Sequence, residues 1–194
     1  MIKSFLLIIL LLLPVQASAI ELFFAAKVKD LWMQNSSLAE GKTPSDVVDV
    51  ILQGVVYEPP LFIADMKKSR LSRYTVLDAF ASDISAMKVG DTEWLIENWA
   101  MNEQDWPSEM LENEKTIEKS QKWALEHSPF QVNAVAQYKD KYKLVFLANR
   151  PLIFVFKKVD GGEWKKTNDL VSDETFDVVF SSYRTSGLES GNQE

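Results

Sequence analysis

The sequence predicts an α+β domain in which helices come first and pack on an antiparallel sheet. Three observations predict it. Residues 72–87 repeat apolar side chains at three- and four-residue spacing, the stripe of an amphipathic helix. From Phe130 onward the pattern changes to period two or to unbroken β-formers. Asp160-Gly161-Gly162 between two such runs is a strong hairpin signal. Helices followed by a run of strands is the α+β order. A hydrophobic content of 46% with 11% aromatics belongs to a chain that can bury a core.

The first nineteen residues read as a cleavable secretory signal peptide. Lys3 supplies the positive charge, and Phe5–Leu13 run without a polar side-chain atom. Nine residues make a helix of about 14 Å, against about 30 Å for a bilayer core. Pro14 breaks that helix, and Ala17-Ser18-Ala19 place small side chains at −3 and −1 of a cut before Ile20. The competing reading is an uncleaved N-terminal anchor, for which the apolar run is short. The chain has no cysteine, which removes a lipid-modified N-terminus, thiol catalysis and thiolate metal sites. Export without disulfides points to the periplasm of a Gram-negative bacterium, or to secretion. The expected product is soluble, with no stable membrane anchor after cleavage.

Loss of the leader removes Lys3 and no acid, taking the formal charge from −7 to −8. That balance opposes nucleic acid, whose affinity comes largely from Lys and Arg neutralising phosphates. The densest basic stretch, Lys67-Lys68-Ser69-Arg70 with Arg73, reads as a solvated approach to a helix.

Residues 21–33 suit a short amphipathic helix through Leu22, Phe23, Ala26, Val28 and Trp32. Thr43-Pro44-Ser45-Asp46 reads as a helix start, with Thr43 as cap, and Val47–Leu52 as the body. The β-branched richness of that body keeps a strand reading open. Tyr57-Glu58-Pro59-Pro60 reads as a loop. The main helix, from about Ser72 to Met87, carries Val76, Leu77, Phe80, Ala81, Ile84 and Met87 on one stripe. Gly90 is placed to end it and Asp91 to cap a second helix, Thr92–Trp99. Trp106-Pro107-Ser108 breaks the chain, and 109–126 predicts a largely exposed helix. Strands follow at 130–138, 142–149, 152–159 and 163–168, with a further strand at 176–181. One sheet face must be covered by the 72–87 helix.

Two stretches carry a family resemblance. One is Ala86-Met87-Lys88-Val89-Gly90-Asp91-Thr92-Glu93-Trp94-Leu95 at the helix junction. The other is Leu152-Ile153-Phe154-Val155-Phe156, then a glycine turn and Glu163-Trp164-Lys165. Over roughly residues 70–182 the chain resembles the NTF2-like superfamily. The resemblance implies a curved sheet and helices forming a cone (NTF2-like or cystatin-like), often with a pocket at the wide end. Between the leader (1–19) and a polar, glycine-containing tail expected to be flexible (185–194), it divides the chain into an N-terminal helical extension (20–69) and the α+β domain (70–184). It implies no one activity, because that superfamily spans enzymes and catalytically silent binding domains.

Candidates for chemistry are few. His127 is the only histidine, placed where the exposed helix meets the first strand. It reads as a helix C-terminal residue favoured by the dipole, or as a base at a pocket rim. Asp78 and Asp83 sit on the polar side of the main helix about 140° apart, too far to converge. Tyr138 and Tyr142 occupy strand positions suited to a cone interior, or to cross-strand packing. Of six tryptophans, Trp99 and Trp106 are the best candidates for an exposed binding surface. No phosphate loop, serine elbow or metal-ligand spacing is present, so no cofactor and no metal is expected. These readings favour a non-enzymatic module that binds a small molecule or an envelope protein. The alternatives are an isomerase or hydrolase using a pocket carboxylate or His127, and an envelope assembly factor.

Overall fold

Alternation at period two begins much earlier than the helical spacing of 21–33 suggests. The computed structural model describes residues 16–100 and 113–190. In it Leu22, Phe24 and Ala26 are buried along one side of a strand, β1 (Gln16–Lys27), with exposed Phe23 on the other. The expected first helix is therefore a strand, followed by one 3₁₀ turn at Val28–Asp30. The expected helix at Val47–Leu52 is also a strand, β2 (Val47–Phe62), paired antiparallel with β1 from Lys27↔Val47 to Gln16↔Glu58. Valine and isoleucine decide it: their branched side chains cost χ1 freedom in a helix and pack well on a pleated surface. Thr43 and Asp46 still form a cap-like turn, the Thr43 N–H donating to the Asp46 carboxylate at 2.7 Å, but it opens a strand. Tyr57–Pro60 lie inside β2, where its register against the next strand shifts between Val56 and Leu61. Residues 20–69 are thus no helical extension; they bring two long strands into the common sheet.

The main helix forms as its spacing requires. In α1 (Val76–Val89) the Thr75 side chain accepts the Asp78 N–H, and Gly90 closes the last turn at φ 69, a left-handed conformation open to glycine. Asp91 caps α2 (Thr92–Glu97) by accepting the Trp94 N–H at 2.9 Å. Helix α3 (Glu114–Glu126) is mostly solvated and buries only Ala124. The meander then runs β3 (Gln131–Tyr138), β4 (Tyr142–Leu147), β5 (Ile153–Lys158) and β6 (Trp164–Lys166). The expected strand at 176–181 is instead part of a helix, α4 (Glu174–Ser186), capped by Asp173. Burial of Asp177, Val178, Ser181 and Ser182 follows helical spacing. The chain then turns at Gly187 into a two-residue strand, β7 (Glu189–Ser190), on the outer edge of β1. Of the segment expected to be a flexible tail, Thr185 and Ser186 are helical and 189–190 are paired, while 191–194 lie outside the described residues.

The result is α+β: a curved, open antiparallel sheet in the order β6-β5-β4-β3-β2-β1, with β7 added beyond β1. As expected, α1 covers one face. Phe80 is the hub there, with its ring 6.1, 4.9 and 6.4 Å from those of Phe130, Phe154 and Phe156. The opposite face is covered by α4, whose Val179 and Tyr183 pack on Leu22, Phe24, Ala134, Leu144 and Phe146. Strands β3 and β4 are consequently buried on both sides, and read as near-continuous apolar runs. Gly54 lets β1, β2 and β3 approach closely. A Cβ there would lie 2.7 Å from Leu22 Cδ1 and 2.9 Å from the Val135 carbonyl oxygen. Among the described residues no helix is long and apolar enough to cross a membrane.

Candidate binding cleft

Where α4 meets the sheet, an apolar cleft of about 300 Å³ opens against the β5–β6 edge. Phe176 and Phe180, one turn apart on α4, form one wall, and Ile153, Val155 and Leu170 form the floor. Trp32 stands over it with its side chain 80% exposed, its ring stacked on Phe180 at 6.3 Å between centroids. The turn that carries this tryptophan is fixed through its backbone. Asp177, buried on α4, accepts the N–H groups of Trp32 at 3.0 Å and Met33 at 2.7 Å. Its carboxylate also accepts the Ser181 hydroxyl at 3.2 Å. The turn after β1 is thereby pinned to a helix nearly the whole chain length away.

The other charged residue lining the cleft, Lys166, is also committed inward. Its ammonium pairs with Asp83 Oδ2 at 3.0 Å and lies over the rings of Trp99 and Phe154. Asp83 is fully buried, which corrects the expectation that it sits on the polar side of α1. Beside it runs a second buried network. Asn98 Oδ1 accepts from Arg73 Nε at 2.9 Å and from the Ser82 hydroxyl at 2.7 Å, and the Ser82 oxygen accepts the Trp94 indole N–H at 2.9 Å. These bonds tie the loop before α1, α1 itself and the end of α2 into one unit.

Among the described residues, the binding candidates singled out in the sequence (Trp99, His127 and Tyr138) lie apart from one another. Trp99 is 7% exposed beneath Lys166, so it is no free binding surface, and Trp106 lies outside the described residues. His127 does end α3, as its position suggested, with its ring against Trp123 at 4.7 Å. Tyr138 is buried on the α4 face of the sheet, its ring against Phe176 and its hydroxyl donating to Asp173. Tyr142 makes the matching bond to Asp169 at 2.8 Å. Lys139 and Lys157 join the same two carboxylates, so each tyrosine anchors the 169–173 segment over the sheet. Ala17, Ala19 and Ile20 all lie in β1. Asp91 caps α2, and Lys68 of the basic stretch pairs with Asp91 at 3.3 Å and Glu93 at 2.9 Å. Among the described residues no group of three or more His, Cys, Asp or Glu is placed to hold a metal ion.

What sequence reasoning missed is Trp32, Asp177 and Phe180. The Phe176–Phe180 spacing of four, behind an Asp173 cap, was the signal for a helix with an aromatic face. The fold and cleft define an α+β protein with a helix-covered open sheet and an apolar recess under an exposed tryptophan. The chain matches no protein-family model, no curated protein and no solved structure.

Proposed function

We propose that this is an exported binding module of the cell envelope, built on an NTF2-like frame, which holds the apolar part of its ligand under Trp32. The observation that carries this reading is the exposed indole, stacked on Phe180 and carried on a turn whose backbone is anchored. A buried carboxylate holds the Trp32 backbone, so the turn that carries the indole need not be ordered when a ligand arrives. An aromatic anchor beside an apolar recess is the usual composition of a binding hot spot. The volume lies at the small end of ligand sites, about 300–1,000 Å³. Asp177 and Lys166 are already engaged in internal bonds, which favours binding over acid–base chemistry. The order of α1, α2 and a curved meander supports the NTF2-like frame, although the β1–β2 hairpin and α4 lie outside the residue pattern that suggested it. The export reading is supported by the charge, apolar core, proline and Ala-x-Ala sequence of residues 1–19.

Titration with 1-N-phenylnaphthylamine, an apolar fluorescent probe, tests the cleft. Trp32→Ala should weaken probe binding about tenfold, a hot-spot loss, with the unfolding midpoint unchanged. Equal affinity for both proteins would remove the cleft as the binding surface.

A further inference from the structure

A cut before Ile20 removes more than an address. Gln16–Ala19 are the first part of β1 and pair residue by residue with Val55–Glu58 of β2, Ala19 opposite Val55 and Gln16 opposite Glu58. On its other side β2 is paired with β3 through Val56↔Ala134 and again from Leu61↔Val132. Strand β7 meets β1 only at Leu22 and Phe23, too far along to take the vacated place. Loss of the leader therefore leaves a four-residue edge of about 13 Å whose backbone groups have lost their partner. Such an edge is a template for another strand.

A groove of about 480 Å³ lies beside this edge, on the α1 side of the sheet and so across it from the Trp32 cleft. Ala19 lines it together with Val55, Tyr57, Tyr74 and Trp164. Residues two apart on a strand share a face, so the register positions opposite Val55 and Tyr57 are on the groove side together. Tyr74 remains largely exposed at the rim.

We propose that removal of the leader opens a docking site for an extended peptide. The peptide adds antiparallel along Val55–Glu58 in the place of residues 16–19, and apolar side chains two residues apart enter the groove between Tyr57 and Tyr74. Backbone hydrogen bonds supply the attachment and the two alternating side chains supply selectivity, as in other strand-addition complexes. The site rests on the reading of residues 1–19 as a removed leader, and the experiment separates the two.

The exported protein is purified, its N-terminus is read by intact mass, and it is titrated with a fluorescein-labelled Thr-Val-Thr-Val-Thr-Val peptide while hydrogen exchange is followed. The expected mass begins at Ile20. The amides of residues 55–58 exchange faster than those of 48–52 and gain protection with the peptide. A peptide with both central residues replaced by proline does not bind. Tyr74→Ala weakens binding about five- to tenfold, whereas Trp32→Ala leaves it unchanged. A mass that still includes the leader overturns the leader reading and the site with it. A mass beginning at Ile20 without peptide protection at 55–58 overturns the site alone. So does concentration-dependent protection of 55–58 without peptide, which would mark a second copy as the occupant.

Discussion

Trp32 owes its place to Asp177: the backbone N–H of the exposed tryptophan donates to the buried carboxylate at 3.0 Å, across 145 positions of sequence. The same carboxylate takes the Met33 N–H, so one side chain satisfies two consecutive amides of the turn after β1. Two charge-assisted bonds to a single acceptor make a firm attachment. Replacing Asp177 with Asn keeps one acceptor oxygen and sets an amide N–H₂ against the other donor. Asp177→Asn should cost about 1–3 kcal/mol, read as a lower urea midpoint. It should also weaken probe binding although Trp32 is still present. Retention of full affinity would show that the indole needs no backbone anchor.

How much of this was legible in the sequence depends on how far away the deciding partner lies. Helix α1 and the meander β3–β6 follow from local patterning, with Thr75, Gly90 and the Asp160-Gly161-Gly162 turn as punctuation. For β1, Leu22, Phe23 and Ala26 satisfy helical spacing as well as Leu22, Phe24 and Ala26 satisfy a strand, and pairing with Val48–Gly54 decides. For α4, Val178 and Val179 favour a strand by propensity, and the Asp173 cap with packing on β3 and β4 prevails. Exposure is hardest to see. Trp99 is covered by Lys166 and Trp32 is uncovered, and each outcome depends on residues far along the chain.

Acid titration of the fold should report Asp173. Burial raises its pKa, but bonds from Lys139, Tyr138 and the Phe176 N–H outweigh this and hold the carboxyl below its ordinary 3.8. A depressed folded value means that the contribution is complete above the unfolded pKa and is lost as pH falls through the folded one. Asn caps helices as well as Asp, so Asp173→Asn removes the charge and leaves the cap. The variant should lose about 1–2 kcal/mol at pH 7 and show a flatter stability profile below about pH 4. Circular-dichroism unfolding at a series of pH values measures both. An unaltered acid limb would move the effect to other carboxylates.

The alkaline side depends on buried tyrosines. Burial pushes the Tyr183 hydroxyl up to about 12, and its proton is given to the Leu147 carbonyl. Burial, followed by the Asp173 carboxylate, raises Tyr138 still further. Raised folded values make the stabilisation complete below the ordinary pKa of 10 and progressively lost as pH rises above it. Tyr183→Phe should cost about 1–2 kcal/mol near pH 7, by leaving the Leu147 carbonyl without its donor. The same variant should reduce the slope of stability against pH above about 10. Tyrosinate absorbance followed alongside unfolding would show whether ionisation and loss of structure coincide. Early ionisation of all tyrosines in the folded protein would contradict the burial argument.

The Asp83–Lys166 pair, one member buried and the other part-exposed, should behave as a unit. Asp83 is fully buried, its Oδ1 has no hydrogen-bond partner among the described residues, and its other oxygen meets Lys166 at 3.0 Å. Desolvation of such a pair consumes much of its attraction, so the pair adds little net stability compared with apolar residues of like size. Removing Lys166 is different, because it leaves an uncompensated charge in the interior. Lys166→Met alone, which strands the fully buried Asp83, should cost about 3–5 kcal/mol, and Asp83→Leu alone, which leaves a part-exposed ammonium, should cost less. In the double variant the cost should fall to well below the sum of the two. The two introduced apolar side chains can pack against Trp99 and Phe154, which the ammonium now covers. Chemical unfolding of the four proteins completes the cycle. Strict additivity would mean that the two side chains stabilise the fold independently, and that Lys166 is held by its ring contacts alone.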